Sequence, residues 1–187
     1  MGESVANGRS GIGELRSLIR NVRDFPKPGI MFRDITPLLA DSAGLSLAME
    51  MLSQPYRKLH VKLVAGAESR GFIFATGVAR NLSAGFVPIR KPGRLPCSTI
   101  SEEYELEYGT NRLEIHEDAV TPGDRVLMVD DLLATGGTMA SCCRMIESLG
   151  GEIVAVAFVI ELAFLDGRRK LDKYPVHSLL TYHSESD

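Results

Sequence analysis

Two adjacent carboxylates followed by a loop of small residues form the segment of this sequence with the clearest chemistry. Asp130 and Asp131 follow an apolar run at 126–129, which is typical of the end of a strand buried on both faces. Residues 139–149 have the composition and length of a helix, so unpaired N–H groups at its start would face the loop. The loop consists of Ala134, Thr135, Gly136, Gly137 and Thr138. Its small residues and two hydroxyls predict a phosphate-binding loop.

A ribose phosphate is the ligand that fits both halves of this segment, because two carboxylates beside a bare phosphate would repel it. The 5′-phosphate would lie in the loop, while the 2′- and 3′-hydroxyls donate charge-assisted hydrogen bonds to Asp130 and Asp131. The sequence has neither G-x-x-x-x-G-K-[ST] nor a G-x-G-x-x-G after this strand, which disfavours a nucleotide triphosphatase and a dinucleotide-binding protein. A structural strand-turn-helix with solvated acids is the remaining alternative.

Two further groups of residues are candidates for binding anions. Ser69 and Arg70 stand at a strand-to-helix junction, where a hydroxyl, backbone N–H groups and a guanidinium would suit pyrophosphate. Arg90, Lys91 and Arg94 follow the next predicted strand. Taken alone, the first group is equally compatible with a structural turn, and the second with a solvated run of charges.

Alternating strands and helices along the chain predict an α/β fold with a mostly parallel, twisted sheet and right-handed crossovers. The predicted helices are a segment with apolar residues Ile12, Leu15, Leu18 and Ile19 that ends before 26–29, then 42–56, 71–81 and 139–149; the predicted strands are 62–65, 86–89, 126–129 and 153–162. Residues 99–115 alternate polar and apolar side chains around Gly109, which indicates a hairpin outside the sheet. Such a hairpin could act as a lid.

Length, composition and charge favour one globular α/β domain. The 187 residues are 44% apolar and 24% charged, with a formal net charge of −3, so there is no general basic field for nucleic acid. We find no targeting signal and no apolar stretch long enough to cross a bilayer. Cys97, Cys142 and Cys143 lack the spacing of a disulfide framework or a zinc site, which fits a reduced cytoplasm.

Five motifs together resemble the type I phosphoribosyltransferases, and within them the adenine-specific branch. V-D-D-L-L-A-T-G-G-T at 129–138 is similar to the family's signature for 5-phosphoribosyl 1-pyrophosphate (PRPP). The other four motifs narrow the match: D-F-P-K-P-G-I-M-F-R-D-I-T-P-L-L at 24–39, E-S-R-G-F at 68–72, I-R-K-P-G-R-L-P at 89–96 and L-E-Y-G at 106–109. The resemblance extends over about residues 22–182.

The resemblance implies the fold and reaction of that family. We expect a central, mostly parallel sheet flanked by helices, with an N-terminal arm and base-covering hood at 1–35 and a core at 36–187 whose flexible hairpin lid lies at about 97–116. The implied reaction displaces pyrophosphate from ribose C1 of PRPP by adenine, giving AMP in purine salvage. Mg²⁺ would be held through PRPP and water, without a direct protein ligand. A cytoplasmic homodimer without nucleic acid or membrane partners is expected.

The resemblance also assigns residues to the two ends of the substrate pair. It places Ser69, Arg70, Arg90 and Lys91 at the pyrophosphate, with Arg94 as a further candidate that reaches a neighbouring subunit's site. A cis peptide is expected between Glu68 and Ser69. At the adenine, Phe32 and Leu162 would sandwich the base, while Met31 and Arg33 offer backbone groups to its edge. Without the resemblance, core packing is the ordinary explanation for Phe32 and Leu162.

Catalysis in this family would rest on electrostatic positioning, without a protein nucleophile. Arg70 would stabilise charge on the leaving pyrophosphate, while Asp130 and Asp131 stabilise the oxocarbenium-like ribose. Glu107 would accept or relay the purine proton, and Tyr108 would cover the transition state and exclude water. For these two residues, an exposed hairpin with a charged edge is the alternative interpretation.

Two other functions remain open at this point. One is a phosphoribosyltransferase for another base, such as hypoxanthine or xanthine. The other is a PRPP- or purine-sensing regulator that keeps the fold without catalysis. A regulator should carry an added nucleic-acid-binding segment or lack Arg70, Glu107 or one acid of the pair, and neither feature is seen. An enzyme is therefore preferred.

Overall fold

The structure is a computed structural model that describes residues 11–105 and 110–187. In chain order its elements are helix α1 at 11–17, strands β1 (Arg20–Arg23) and β2 (Met31–Asp34), helices α2 (Thr36–Ala40) and α3 (Ser42–Ser53), strand β3 (Leu63–Ala67), helix α4 (Gly71–Leu82), strands β4 (Gly85–Ile89), β5 (Thr99–Glu105), β6 (Thr110–His116) and β7 (Arg125–Leu133), helix α5 (Gly137–Ser148), and strands β8 (Glu152–Leu162) and β9 (Val176–Tyr182). Short 3₁₀ turns follow at Gln54–Tyr56, Ala163–Leu165 and Gly167–Leu171. Within these residues, no helix is long and apolar enough to cross a membrane.

Five parallel strands form the central sheet, in the order β4-β3-β7-β8-β9. Strand β7 shows why the sheet is covered on both faces, because its successive side chains point to opposite sides. Leu127 and Val129 pack in one apolar cluster with residues of α3 and α4, such as Phe74. Val126 and Met128 pack in a second cluster with residues of α5. The predicted α/β fold is confirmed.

Two antiparallel hairpins lie outside this sheet. Strands β5 and β6 form the predicted hairpin, which is joined to β4 through a bridge between Arg90 and Glu114. Its tip, with Glu107 and Tyr108, lies outside the described residues. Strands β1 and β2 form a second hairpin, whose connection contains a cis peptide between Phe25 and Pro26.

The predicted strand at 126–129 is correct in place and wrong in length. Strand β7 continues to Leu133, because β8 remains paired with it to that residue, whereas β3 stops pairing at Val129. Asp130 and Asp131 therefore lie within the strand, just beyond the point where its other neighbour ends. Four elements were not predicted: β1, β2, the short helix α2 and the edge strand β9.

Candidate active site

The phosphate-binding loop predicted from the sequence joins β7 to α5. Gly136 immediately precedes the helix with a φ of 77°, a left-handed conformation that favours glycine. Helix α5 then begins at Gly137, so its first N–H groups lack partners within the helix. Together with Asp130, Asp131 and the segment 68–70, this loop lines a cleft of about 350 Å³. The structure therefore brings together the acid pair and two of the segments that the sequence predicted to bind anions.

The acid pair is held between α4 and the phosphate loop. Arg70 Nε lies 2.6 Å from Asp131 Oδ2, and the Asp131 N–H donates to Asp130 Oδ1 over 2.9 Å. Burial and the charge of Asp131 raise the pKa of Asp130 well above its usual value. Burial also raises the pKa of Asp131, although the Arg70 guanidinium opposes that shift. Two carboxylates concentrated in this way are strong acceptors for hydroxyl groups when both are ionised.

The start of α4 packs directly against the acid pair, so a side chain at Gly71 would collide with it. A Cβ added to Gly71 would lie 2.5 Å from Asp130 Oδ1 and 3.4 Å from the carbonyl oxygen of Val129. An ordinary contact at such a position is 3.4–4 Å. The absent side chain at Gly71 therefore leaves the space that the Asp130 carboxylate occupies.

Glu68 connects the two cationic segments that the sequence suggested. Its Oε2 accepts hydrogen bonds from Arg90 Nε and from the Lys91 N–H, both over 3.1 Å. Although burial opposes ionisation, these two donors hold the pKa of Glu68 below its usual value. The peptide between Glu68 and Ser69 is cis, as predicted. Arg94 is exposed, and its carbonyl oxygen accepts a hydrogen bond from Arg90 Nη1 over 3.2 Å.

Phe32 lies beside the cleft on the hairpin β1–β2. Its ring packs edge-on against Phe25, with centroids 5.0 Å apart, and the Arg70 guanidinium lies 5.7 Å from its centroid. Leu162 is half-buried at the end of β8, and Met31 is half-buried in β2. The residues that line the 350 Å³ cleft include neither Phe32 nor Leu162. The structure thus links Phe32 to this cleft through Arg70.

The Arg33 side chain points away from the cleft, because neighbouring residues of a strand face opposite sides. It is 4% exposed, and its Nη1 donates to Asn21 Oδ1 over 2.7 Å and to the carbonyl of Asp187 over 2.6 Å. Its Nη2 donates to the carbonyl of Glu185 over 2.9 Å, and the guanidinium stacks 4.0 Å from the Tyr182 ring centroid. The Arg33 side chain therefore fastens the hairpin to residues that follow β9.

Sequence reasoning missed three contributors to this arrangement: the Glu68 carboxylate, the Arg33 side chain and Gly167. Glu68 was considered only for its cis peptide, and Arg33 only for its backbone. Gly167 packs against the phosphate loop, so closely that a Cβ on Gly136 would meet its backbone. These contacts join segments that are far apart in sequence. The one local signal was the glycine of D-G-R at 166–168.

Comparison with known proteins agrees with the motifs. The family model for the phosphoribosyl transferase domain matches residues 35–182. An adenine phosphoribosyltransferase of Methylococcus capsulatus is 57% identical over 90% of this chain and 99% of its own length. The crystal structure of the Thermoanaerobacter pseudethanolicus enzyme superposes with a TM-score of 0.89 at 51% identity, covering 91% of this chain and 99% of that one.

A third relative has been solved with ligands. The adenine phosphoribosyltransferase of Saccharomyces cerevisiae, in complex with adenine and an imino-altritol bisphosphate, is 36% identical with a TM-score of 0.87. The match covers 92% of this chain and 99% of the yeast chain. The sequence motifs, the parallel sheet and these relatives agree: the chain belongs to the phosphoribosyl transferase domain family and, within it, to the adenine phosphoribosyltransferases.

Proposed function

We propose that the cleft between α4 and α5 carries out the reaction of the adenine phosphoribosyltransferases with the residue roles described below. In that reaction adenine and PRPP give AMP and pyrophosphate. The observation that carries the assignment is that an acid pair, a phosphate loop and Arg70 line one cleft. A ribose carrying phosphates at both ends needs all three.

The phosphate loop holds the 5′-phosphate and the acid pair holds the ribose. Backbone N–H groups from 134–138, with the hydroxyls of Thr135 and Thr138, donate to the phosphate oxygens. Asp130 and Asp131 accept hydrogen bonds from the 2′- and 3′-hydroxyls. Both carboxylates must be ionised to do so, which makes the substrate's hydroxyls better partners for the pair than a further anion.

Ser69 and the cations around Glu68 hold the pyrophosphate. Arg70 reaches it from the start of α4, while Glu68 fixes the Arg90 side chain and the backbone of Lys91. Within residues 11–105 and 110–187, no group of three or more His, Cys, Asp or Glu side chains could hold a metal ion. We assign Mg²⁺ to PRPP oxygens and water, because this cation usually keeps several waters and binds substrate phosphates. Bound there, it would supply positive charge to the leaving group.

Adenine lies under the hairpin that carries Phe32. The ring of Phe32 stacks on the purine, Leu162 closes the other face, and backbone groups of Met31 and Arg33 read the base edge. A pocket that reads adenine with fixed backbone donors and acceptors rejects a 6-oxo purine, because its Watson–Crick edge reverses the pattern. The yeast relative was solved with adenine bound, which supports this choice of base.

The chemical step joins adenine N9 to C1 of the ribose as the bond from C1 to the pyrophosphate oxygen breaks. The bonding electrons leave with pyrophosphate, where Arg70, Arg90 and Lys91 stabilise the charge. Asp130 and Asp131 stabilise the positive ribose. Residues 107 and 108 lie outside the described residues, and we assign Glu107 to the N9 proton and Tyr108 to the exclusion of water. Arg94 is assigned to a neighbouring subunit's site.

The family resemblance also supports a proposal for the domain organisation, the oligomeric state and the location of the protein. We propose a hood at 1–35, a core at 36–187 with a lid at about 97–116, and a homodimer that works in the cytoplasm. Sedimentation velocity on the purified chain tests the dimer. A single species at 20.4 kDa, the mass of one chain, would contradict it.

Steady-state kinetics with PRPP, Mg²⁺ and either adenine or hypoxanthine tests the proposed function. We expect AMP formation with adenine and at least about 10⁴-fold lower kcat/KM with hypoxanthine, because buried polar groups would be left unpaired. Asp131→Asn should lower kcat/KM for PRPP by about 10-fold or more, the cost of one charge-assisted hydrogen bond. The matched control is Asp118→Asn, which alters an exposed acid on the turn after β6.

Two outcomes would overturn the assignment. Turnover of hypoxanthine equal to or better than that of adenine would contradict adenine as the base. Equal effects of the Asp131 and Asp118 substitutions on kcat/KM for PRPP would contradict the role of the acid pair.

A further inference from the structure

The turn that follows β8 is stabilised by an ion pair between Arg168 and Glu161. Arg168 Nε and Nη2 donate to the two carboxylate oxygens of Glu161 over 2.5 and 2.7 Å, and Nη1 donates to the carbonyl of Val176 over 3.0 Å. Arg168 therefore ties its turn to both β8 and β9. A bidentate pair of this kind fixes the orientation of the guanidinium as well as its distance.

The carboxylate of this ion pair is buried, so loss of the pair should affect the surrounding structure. The Glu161 side chain is 5% exposed, whereas that of Arg168 is 47% exposed. Although burial opposes ionisation, the hydrogen bonds from Arg168 hold the pKa of Glu161 below its usual value. Removing Arg168 alone would leave a buried carboxylate without its cation.

The same turn supports the phosphate loop. Gly167, the residue before Arg168, packs so closely that a Cβ on it would meet the carbonyl oxygen of Ala134 and lie 3.0 Å from the backbone nitrogen of Gly136. A Cβ on Gly136 would in turn meet the carbonyl of Gly167. Two backbones in direct contact cannot shift independently. The other end of the turn is anchored by Leu171, which is fully buried in the apolar cluster that contains residues of α5.

We propose that Glu161 and Arg168 are positioning residues for the 5′-phosphate. They hold Gly167 against the phosphate loop and so fix the direction in which the N–H groups of 134–138 point. The inference rests on the proposed function, because it takes that loop to be the 5′-phosphate site. Neither side chain touches the phosphate itself. Their effect should appear only with ligands that carry the phosphate.

Calorimetric titration with AMP and with adenosine isolates this effect, because the two ligands differ only in the 5′-phosphate. In the unaltered protein we expect AMP to bind far more tightly. Arg168→Met should weaken AMP binding on the order of 10-fold, the cost of one misdirected charge-assisted hydrogen bond, and leave adenosine binding unchanged. Arg168→Lys should recover part of the loss, because a lysine keeps the charge but cannot form the bidentate pair.

Two further variants separate positioning from folding. The double variant Glu161→Gln with Arg168→Met removes the unpaired buried charge, so it should fold stably and still bind AMP weakly. Arg169→Met is the matched control. Its side chain is 83% exposed and its ion pair with Asp166 is 3.5 Å long, so its AMP affinity should match that of the unaltered protein.

The outcomes distinguish this inference from the proposed function. If the unaltered protein bound AMP no better than adenosine, the loop would not be a phosphate site and both would fail. If it preferred AMP and Arg168→Met kept that preference in full, only the positioning role would fail. Equal weakening of AMP and adenosine by Arg168→Met would also overturn it, because a general structural defect acts on both ligands.

Discussion

Replacing Gly71 by alanine should displace the Asp130 carboxylate, which we propose binds ribose, without changing any residue that we assign to the substrate. A Cβ at this position would lie 2.5 Å from Asp130 Oδ1, whereas ordinary contacts begin at 3.4 Å. The carboxylate must therefore move by about 0.9 Å. That movement also disturbs the 2.9 Å hydrogen bond that Asp130 accepts from the Asp131 N–H.

We expect a large loss of catalytic rate in a protein that still folds. A displacement of about 1 Å at a reacting centre costs on the order of 10²-fold in rate, or about 2.7 kcal/mol. Alanine in place of a helical glycine contributes up to about 1 kcal/mol of stability, while overpacking costs about 1–3 kcal/mol. The net loss is therefore at most about 3 kcal/mol. In a protein of this size that lowers Tm by no more than about 12 °C.

The assay is kcat/KM for PRPP at saturating adenine, with Tm measured on the same samples. Gly13→Ala is the matched control, because Gly13 is an exposed residue of α1 whose added Cβ would meet no described atom beyond its own helix within 4 Å. It should raise stability slightly and leave kcat/KM unchanged. If Gly71→Ala remained folded with kcat/KM within about 3-fold of the original, the position of Asp130 would not matter for catalysis and the reasoning would be refuted.

Three other substitutions test the charges around the cleft. Asp130→Asn should raise Tm at neutral pH and weaken PRPP binding. Because the folded-state pKa of Asp130 is raised, the stability of the unaltered protein falls as pH rises through that pKa. The Tm difference between the two proteins should therefore shrink on acidification, and a constant difference would contradict the raised pKa as its cause. Glu68→Gln should raise KM for PRPP by roughly 3- to 10-fold with KM for adenine unchanged. The reason is that a weaker acceptor holds the Arg90 side chain and the Lys91 backbone less firmly. Equal changes in both KM values would argue against a role of Glu68 in the pyrophosphate site. Arg33→Met should raise KM for adenine about 10-fold at unchanged KM for PRPP. It should also lower stability by about 1–3 kcal/mol, since it leaves the carbonyl groups of Glu185 and Asp187 without their donor. An unchanged KM for adenine would show that the hairpin β1–β2 holds its position without this side chain.

The fold was largely predictable because its strongest sequence patterns belong to its most buried elements. The apolar runs in β7 and β8 predicted two interior strands of the sheet, and the glycine-rich segment after β7 predicted the loop and the helix. Strand β9 was missed because V-H-S-L-L-T-Y at 176–182 mixes polar and apolar residues without a clear period, as an edge strand can. The hairpin β1–β2 was missed because P-K-P-G at 26–29 was interpreted only as the end of a helix.

The parts of the site whose residues are adjacent in sequence were predictable. The acids and the phosphate loop are adjacent in sequence, so residue type and spacing were enough to suggest a ribose phosphate. The partners that orient them were not predictable. Glu68 and Arg90 are separated in sequence by an α-helix and a strand, and so are Gly136 and Gly167. Contacts of that kind depend on the order of strands in the sheet, and a single sequence does not carry that order.

The parallel arrangement of the central sheet has a practical consequence for attaching this protein to a surface. The residues that we assign to PRPP follow β3 and β4 or lie near the end of β7 and after it, whereas the turns that precede these strands lie at the opposite edge of the sheet. One of these is the turn before β7, where Thr121 is exposed. A linker anchored at Thr121 would hold the molecule by its far side, leaving the mouth of the cleft open to diffusing solutes.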